Sequence, residues 1–134
     1  MSQGRITDQA SILLARDVGA AVAYWVEKVG FKIAGTWGEP PDFAILERDG
    51  AHVMIGMAGG DHEIVPYWKI RPNLWNAYFW VADARAMFEE LSGRGAQIDY
   101  SLCTQPYGVL EFGIQDTDGH DIGFGEVLKP ASDS

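Results

Sequence analysis

The sequence predicts an α+β fold: two tandem βαβββ modules forming curved mixed sheets around a cleft. Three observations predict it. The chain repeats itself, each copy carries a capped helix after an apolar run, and each copy ends in two apolar runs joined at Asp-Gly. Set Phe43 to Met57 above Phe112 to Glu126, and no gap is needed. Phe43 falls on Phe112, Ile45 on Ile114, Asp49-Gly50 on Asp118-Gly119, Val53 on Ile122 and Gly56 on Gly125. Upstream, Asp17 falls on Asp83, with one residue of slack before Gly30 and Gly95. The repeat unit is about 60 residues, a period that signals duplicated supersecondary structure.

Each unit opens with a short apolar run, SILLA or AYFWVA, that reads as a buried strand. Asp17 and Asp83 then stand where a helix N-cap belongs, to accept from the free N–H groups of the first turn. Val18, Val22, Trp25 and Val29 form a stripe at helical spacing, as do Ala84, Met87, Phe88 and Leu91. Gly30, and Gly93 or Gly95, end the helices, because glycine takes the left-handed conformation cheaply. A strand follows at Phe31–Thr36 or Gln97–Leu102, then a loop, then the Asp-Gly hairpin. The expected organisation is one domain over 1–134, with module one at about 10–58, a linker at 59–75 and module two at about 76–128. The linker carries Tyr67, Trp68 and Trp75, and reads either as a cap on an exposed end of the core or as a ligand lid or subunit contact.

If both Asp-Gly pairs occupy two-residue turns, opposite side chains share a face. Phe43, Ile45, His52, Met54 and Gly56 then lie on one side of the first hairpin, and Val53 and Ile55 on the other. By the same count Phe112, Ile114, Asp121, Gly123 and Gly125 share a face, opposite Ile122 and Phe124. The Val53–Ile55 and Ile122–Phe124 faces should pack under the helices. Trp25 reads as core.

Composition narrows the function. The chain has 134 residues, ten basic against nineteen acidic, and a formal charge of −9. That balance disfavours nucleic acid and anionic membranes, whose phosphates call for Lys and Arg. It would suit a cationic ligand, or serve solubility alone. No apolar run approaches the roughly 20 residues that span a bilayer, and MSQGRITDQ has no hydrophobic signal core. The expectation is a cytoplasmic protein. A single cysteine, Cys103, excludes a disulfide framework and reads as an inert small residue. His120 reads as a turn-edge residue.

The residues carry a family resemblance. LLARDVGAAVAYWVEKVGF, PDFAILERDG, NAYFWVAD and QPYGVLEFGIQDTDGHDIGF together resemble the vicinal oxygen chelate superfamily of glyoxalases, extradiol dioxygenases and bleomycin-resistance proteins, and most of all the last group. The likeness runs from about Ala10 to Val127. It implies that metal-dependent relatives would place ligands at positions held here by Ala10, Met54, Asn76 and Gly123, of which only Asn offers a hard donor, and a poor one. No metal and no cofactor are therefore expected, and no catalytic residue is assigned. The resemblance implies a homodimer that binds a small molecule in grooves at its interface. It points to Trp37, Phe43, Tyr78, Trp80 and Tyr107 as groove residues, with Met54 and Phe112 beside them. The expected function is sequestration of an antibiotic-like or other aromatic, cationic compound. The alternative is a lyase, isomerase or ring-cleaving enzyme of the same superfamily with an atypical site.

Overall fold

A computed structural model describes residues 3–129. Module one comprises β1 (Ala10–Ala15), α1 (Val18–Val29), β2 (Lys32–Trp37), β3 (Phe43–Arg48) and β4 (Ala51–Met57). A short helix, α2 (Tyr67–Ile70), interrupts the linker. Module two comprises β5 (Ala77–Trp80), α3 (Ala84–Arg94), β6 (Gln97–Gln105), β7 (Val109–Gln115) and β8 (Asp121–Val127). Each module closes its own four-stranded mixed sheet, in the orders β1-β4-β3-β2 and β5-β8-β7-β6. The first strand of each lies parallel to the last. No helix among the described residues is long and apolar enough to cross a membrane.

The helix ends follow the sequence signals. Asp17 Oδ1 accepts from the Ala20 N–H and Asp83 Oδ1 from the Ala86 N–H, both at 3.0 Å. Gly30 and Gly95 close the helices at φ 78° and 89°, where a Cβ would be strained. The two helices and the inner faces of both sheets share one core. Leu13, Leu46, Val53 and Ile55 meet it from the first sheet, and Phe112, Ile114, Ile122 and Phe124 from the second. Trp25 is fully buried at its centre, with its ring edge-on to Phe31 at 5.0 Å. Phe79, Phe124 and Phe112 continue as a stack, with centroids 5.5 and 5.0 Å apart. Arg48, beside the first hairpin turn, clamps Glu90 on α3 through two nitrogens at 2.7 and 3.0 Å and joins the modules.

The first hairpin has the expected register. Arg48 faces Ala51, Ile45 faces Met54 and Phe43 faces Gly56. Asp49 and Gly50, at φ 51° and 85°, supply the two left-handed residues that a type I′ turn requires. The second hairpin differs. Gln115 pairs with Asp121, so five residues, not two, form its loop. Asp116 holds that loop, its Oδ1 accepting from the N–H groups of Asp118 and His120 at 3.0 and 2.9 Å. The extra residues set Phe112 opposite Phe124 and Ile114 opposite Ile122. Phe112 therefore faces the helices, is 0% exposed, and lines no groove. Its expected place is corrected, and Glu111 takes the outer face instead. His120 ends this hairpin's turn, directly before β8, and is buried there, with its Nε2 donating to the Leu14 carbonyl at 2.8 Å.

Candidate functional site

The faces turned away from the shared core carry the candidate chemistry, and the two differ. On the first sheet the register aligns Leu14, Gly56, Phe43 and Trp37 in one row and Ile12, Met54 and Ile45 in the next. These rows are apolar and bare. Ile12 is 71% exposed, and Trp37 lies 5.7 Å from Phe43, ring to ring. His52 ends this face in a charged row, paired with Asp8.

The outer face of the second sheet is built on glycine. Gly113 and Gly123 pair in one row, Gly125 stands opposite Glu111 in the next row of this face, and aromatic rings lie across all three glycines. A Cβ on Gly123 would meet Tyr78 Cδ2 at 2.6 Å and Trp75 Nε1 at 2.8 Å. One on Gly113 would strike the Tyr100 ring, and one on Gly125 the Tyr78 hydroxyl. The missing side chains are thus what lets the tyrosines lie flat against the sheet. Trp75 meets Tyr78 edge-on at 4.6 Å, and Tyr78 meets Trp80 at 4.9 Å.

Beneath these rings lies Glu111, 0% exposed. Its Oε1 accepts from the hydroxyls of Tyr78 and Tyr107 at 2.7 and 2.6 Å. Its Oε2 accepts from the Tyr100 hydroxyl at 2.7 Å and from Gln105 Nε2 at 3.0 Å. Trp75 Nε1 in turn donates to Tyr100 Oη at 2.9 Å. Two oxygens of a carboxylate have about four lone-pair sites, so the group is saturated by four neutral donors. All three phenols are held well above the ordinary tyrosine range, first by burial and then by the hydrogen bond to Glu111. They stay protonated and donate. The Cys103 thiol is also pushed up, by burial and then by the charge of Glu111, which suits an inert residue rather than a nucleophile.

A cleft of about 750 Å³ opens over this floor. Trp75, Tyr100, Gln105, Tyr107 and Glu111 line it, with Arg71, Pro72 and Asn73 of the linker as one wall and Asp99 and Asp121 as another. Asp121 accepts from Gln115 Nε2 at 3.0 Å. Burial, and the neighbouring Asp99, raise its carboxyl above the usual range.

The expected groove residues therefore form two groups on separate sheets of one chain. Trp37, Phe43 and Met54 lie on the first outer face, and Tyr78, Trp80 and Tyr107 on the second. The sequence reading missed Tyr100 and Gln105, gave Glu111 no place in the groove, and left Trp75 between a core cap and a lid. A lone Glu inside the apolar run VLEFGI was the available signal.

The metal positions of the superfamily do not fit a divalent cation here. Ala10 and Gly123 have no side-chain donor, and Met54 offers only a thioether. Asn76 Oδ1 already accepts from the Tyr67 N–H at 3.0 Å. His52 lies on the other sheet from Glu111 and Asp121, so those three do not assemble. Among the described residues no three His, Cys, Asp or Glu side chains converge as a ligand set.

A family model, the Glyoxalase/Bleomycin resistance protein/Dioxygenase superfamily, matches residues 6–124. The chain belongs to this superfamily. No curated protein sequence matches it. Among solved structures of the fold, TioX from Micromonospora sp. ML1 superposes with a TM-score of 0.72 at 22% identity, covering 91% of this chain and 99% of TioX. The bleomycin-binding protein from Streptomyces verticillus, solved with copper(II)-bleomycin, gives 0.67 at 24% identity, over 96% of this chain and 100% of its own. TnmS3, an antibiotic binding protein from Streptomyces sp. CB03234, gives 0.66 at 20% identity, over 94% and 99%. At these identities the likeness establishes the superfamily fold, and the site has to be argued from its own residues.

Proposed function

We propose that this protein is a metal-free binder that sequesters a planar, aromatic, cationic small molecule in a groove between two copies of the chain. The observation that carries the reading is the contrast between the two outer faces. One is apolar and bare, with Phe43 and Trp37 presenting rings. The other presents Trp80 against Tyr78, next to a cleft lined by Tyr107, Asp99 and Asp121. A twofold pairing that sets the first face of one chain against the second face of its partner gives a slot with rings on both walls and carboxylates at one side. Planar rings stack on such walls, and cations favour aromatic faces and carboxylates. Two solved neighbours of the same fold, the bleomycin-binding protein solved with copper(II)-bleomycin and the antibiotic binding protein TnmS3, support this reading. The net charge of −9 draws cations toward the groove and makes binding weaken with salt.

Light scattering and tryptophan-fluorescence titration with a cationic acridine dye test this. A homodimer with micromolar affinity, near −8 kcal/mol, is expected. Phe43→Ala and Trp80→Ala should each weaken binding about tenfold, or about 1.4 kcal/mol, and leave the dimer intact. A monomer at micromolar concentration, or two variants that bind as tightly as the parent, would overturn the reading.

A further inference from the structure

Glu111 is unusual in what it lacks. It is fully buried, and each of its four hydrogen-bond donors is neutral. A buried carboxylate is ordinarily paired with a cation, because hydrogen bonds replace water but leave the charge unbalanced. The four donors also differ in how they are held. Tyr78 and Tyr100 lie on strands, pressed over glycines and braced by Trp75. Gln105 ends β6. Tyr107 belongs to the β6–β7 turn, is 57% exposed, and has no other side-chain hydrogen bond among the described residues. Rotating that one side chain uncovers Oε1 toward the cleft and leaves the backbone unmoved.

We propose that Glu111 is the charge-reading anchor of the cleft, and that an amidinium, guanidinium or protonated amine on the ligand displaces the Tyr107 hydroxyl from Oε1 and takes its place. The proposal rests on the reading of the chain as a small-molecule binder and names the polar group that the site selects. A charged N–H donor makes a shorter and stronger bond to a carboxylate than a phenol does. It also supplies the missing counter-charge. A neutral ligand gains nothing by the exchange, since it trades one neutral hydrogen bond for another. Asp99 and Asp121 on the same wall disfavour anions, and Arg71 is the one cationic side chain among the described residues lining the cleft. The displaced Tyr107 ring remains at the lip, where it can cover the ligand.

Benzamidinium and its neutral isostere benzamide separate charge from shape. Calorimetry with both, on the parent protein, Tyr107→Phe and Glu111→Gln, tests the exchange. The parent should prefer benzamidinium. Tyr107→Phe removes the competing hydroxyl and keeps the ring, so it should tighten benzamidinium about three- to tenfold and leave benzamide unchanged. Glu111→Gln should abolish the preference. If Glu111→Gln proves unfolded in a denaturation curve, Tyr107→Phe with the two probes decides alone. Equal binding of the two probes, unaltered by either substitution, would overturn the anchor and leave the aromatic groove standing. Weaker benzamidinium binding by Tyr107→Phe would make the hydroxyl a partner of the ligand and overturn the displacement. Failure of both probes to bind the parent protein would overturn the anchor together with the binding reading on which it rests.

Discussion

The Tyr24 hydroxyl, on the first helix, donates to the Gln115 carbonyl of the second module at 2.6 Å and accepts from the Gln97 N–H at 3.0 Å. One phenol thus satisfies two backbone groups that the β6–β7 ladder leaves open at its edge. Tyr24→Phe keeps the ring and orphans both. Urea denaturation should show a loss of about 1–2 kcal/mol with an unchanged slope.

Gly123→Ala tests the glycine floor. Its new Cβ would stand 2.6 Å from the Tyr78 ring and 2.8 Å from Trp75 Nε1, so one of them must move. Overpacking of this kind costs about 1–3 kcal/mol. The variant should also lose the hydrogen bond from Tyr78 to Glu111. Near-ultraviolet circular dichroism, sensitive to the packed tyrosines, should change while the far-ultraviolet signal stays.

The fold was legible because its signals are local. Asp17, Asp83, Gly30 and Gly95 mark helix ends through their own backbone chemistry, and Asp49-Gly50 dictates its turn unaided. Asp118-Gly119 looks the same in sequence but sits inside a wider loop, because Asp116 offers its carboxylate to two N–H groups and stabilises five residues there. A register moves every side chain to the other face when it shifts by one. That single difference sent Phe112 inward and Glu111 outward, and so hid the site. The remaining partners of Glu111 come from β5, β6 and a turn, and no spacing rule connects Tyr78 with Tyr100 or Tyr107. Trp75 belongs to a linker whose sequence allowed either a core cap or a lid, and the fold makes it a wall of the cleft.

Two tryptophans should separate stability from binding. Trp25 is fully buried, and Trp25→Ala should cost about 3–5 kcal/mol. Trp80 is 65% exposed, and Trp80→Ala should change stability by no more than about 0.5 kcal/mol. Denaturation midpoints of the two variants, set beside dye titration of the second, check both statements.

Asp121 should make stability depend on pH. Its carboxyl lies above the usual range because it is buried and faces Asp99 and Asp116, with the Gln115 amide opposing the rise. The folded state therefore holds this proton more tightly than the unfolded chain does. The resulting penalty is present in full above the folded pKa and is relieved as pH falls through it toward the unfolded value near 3.9. Asp121→Asn removes the charge and retains an oxygen for Gln115. The variant should be more stable than the parent at neutral pH, with the gain shrinking on acidification, as paired urea curves across that range would show.

Gly56 is the counterpart of Gly125 in the repeat, yet their surroundings differ. A Cβ on Gly56 would touch only Phe43 Cδ1, at 3.8 Å, an ordinary contact. Nothing lies across it, and no left-handed backbone forbids a side chain there. The first outer face can thus accept a side chain at Gly56, though not at Gly35, where a Cβ would stand 2.7 Å from the Trp37 ring, whereas Gly113, Gly123 and Gly125 of the second are all covered by rings. A side chain at Gly56 would therefore only extend the first outer face, whereas one at Gly125 would push the Tyr78 hydroxyl off Glu111.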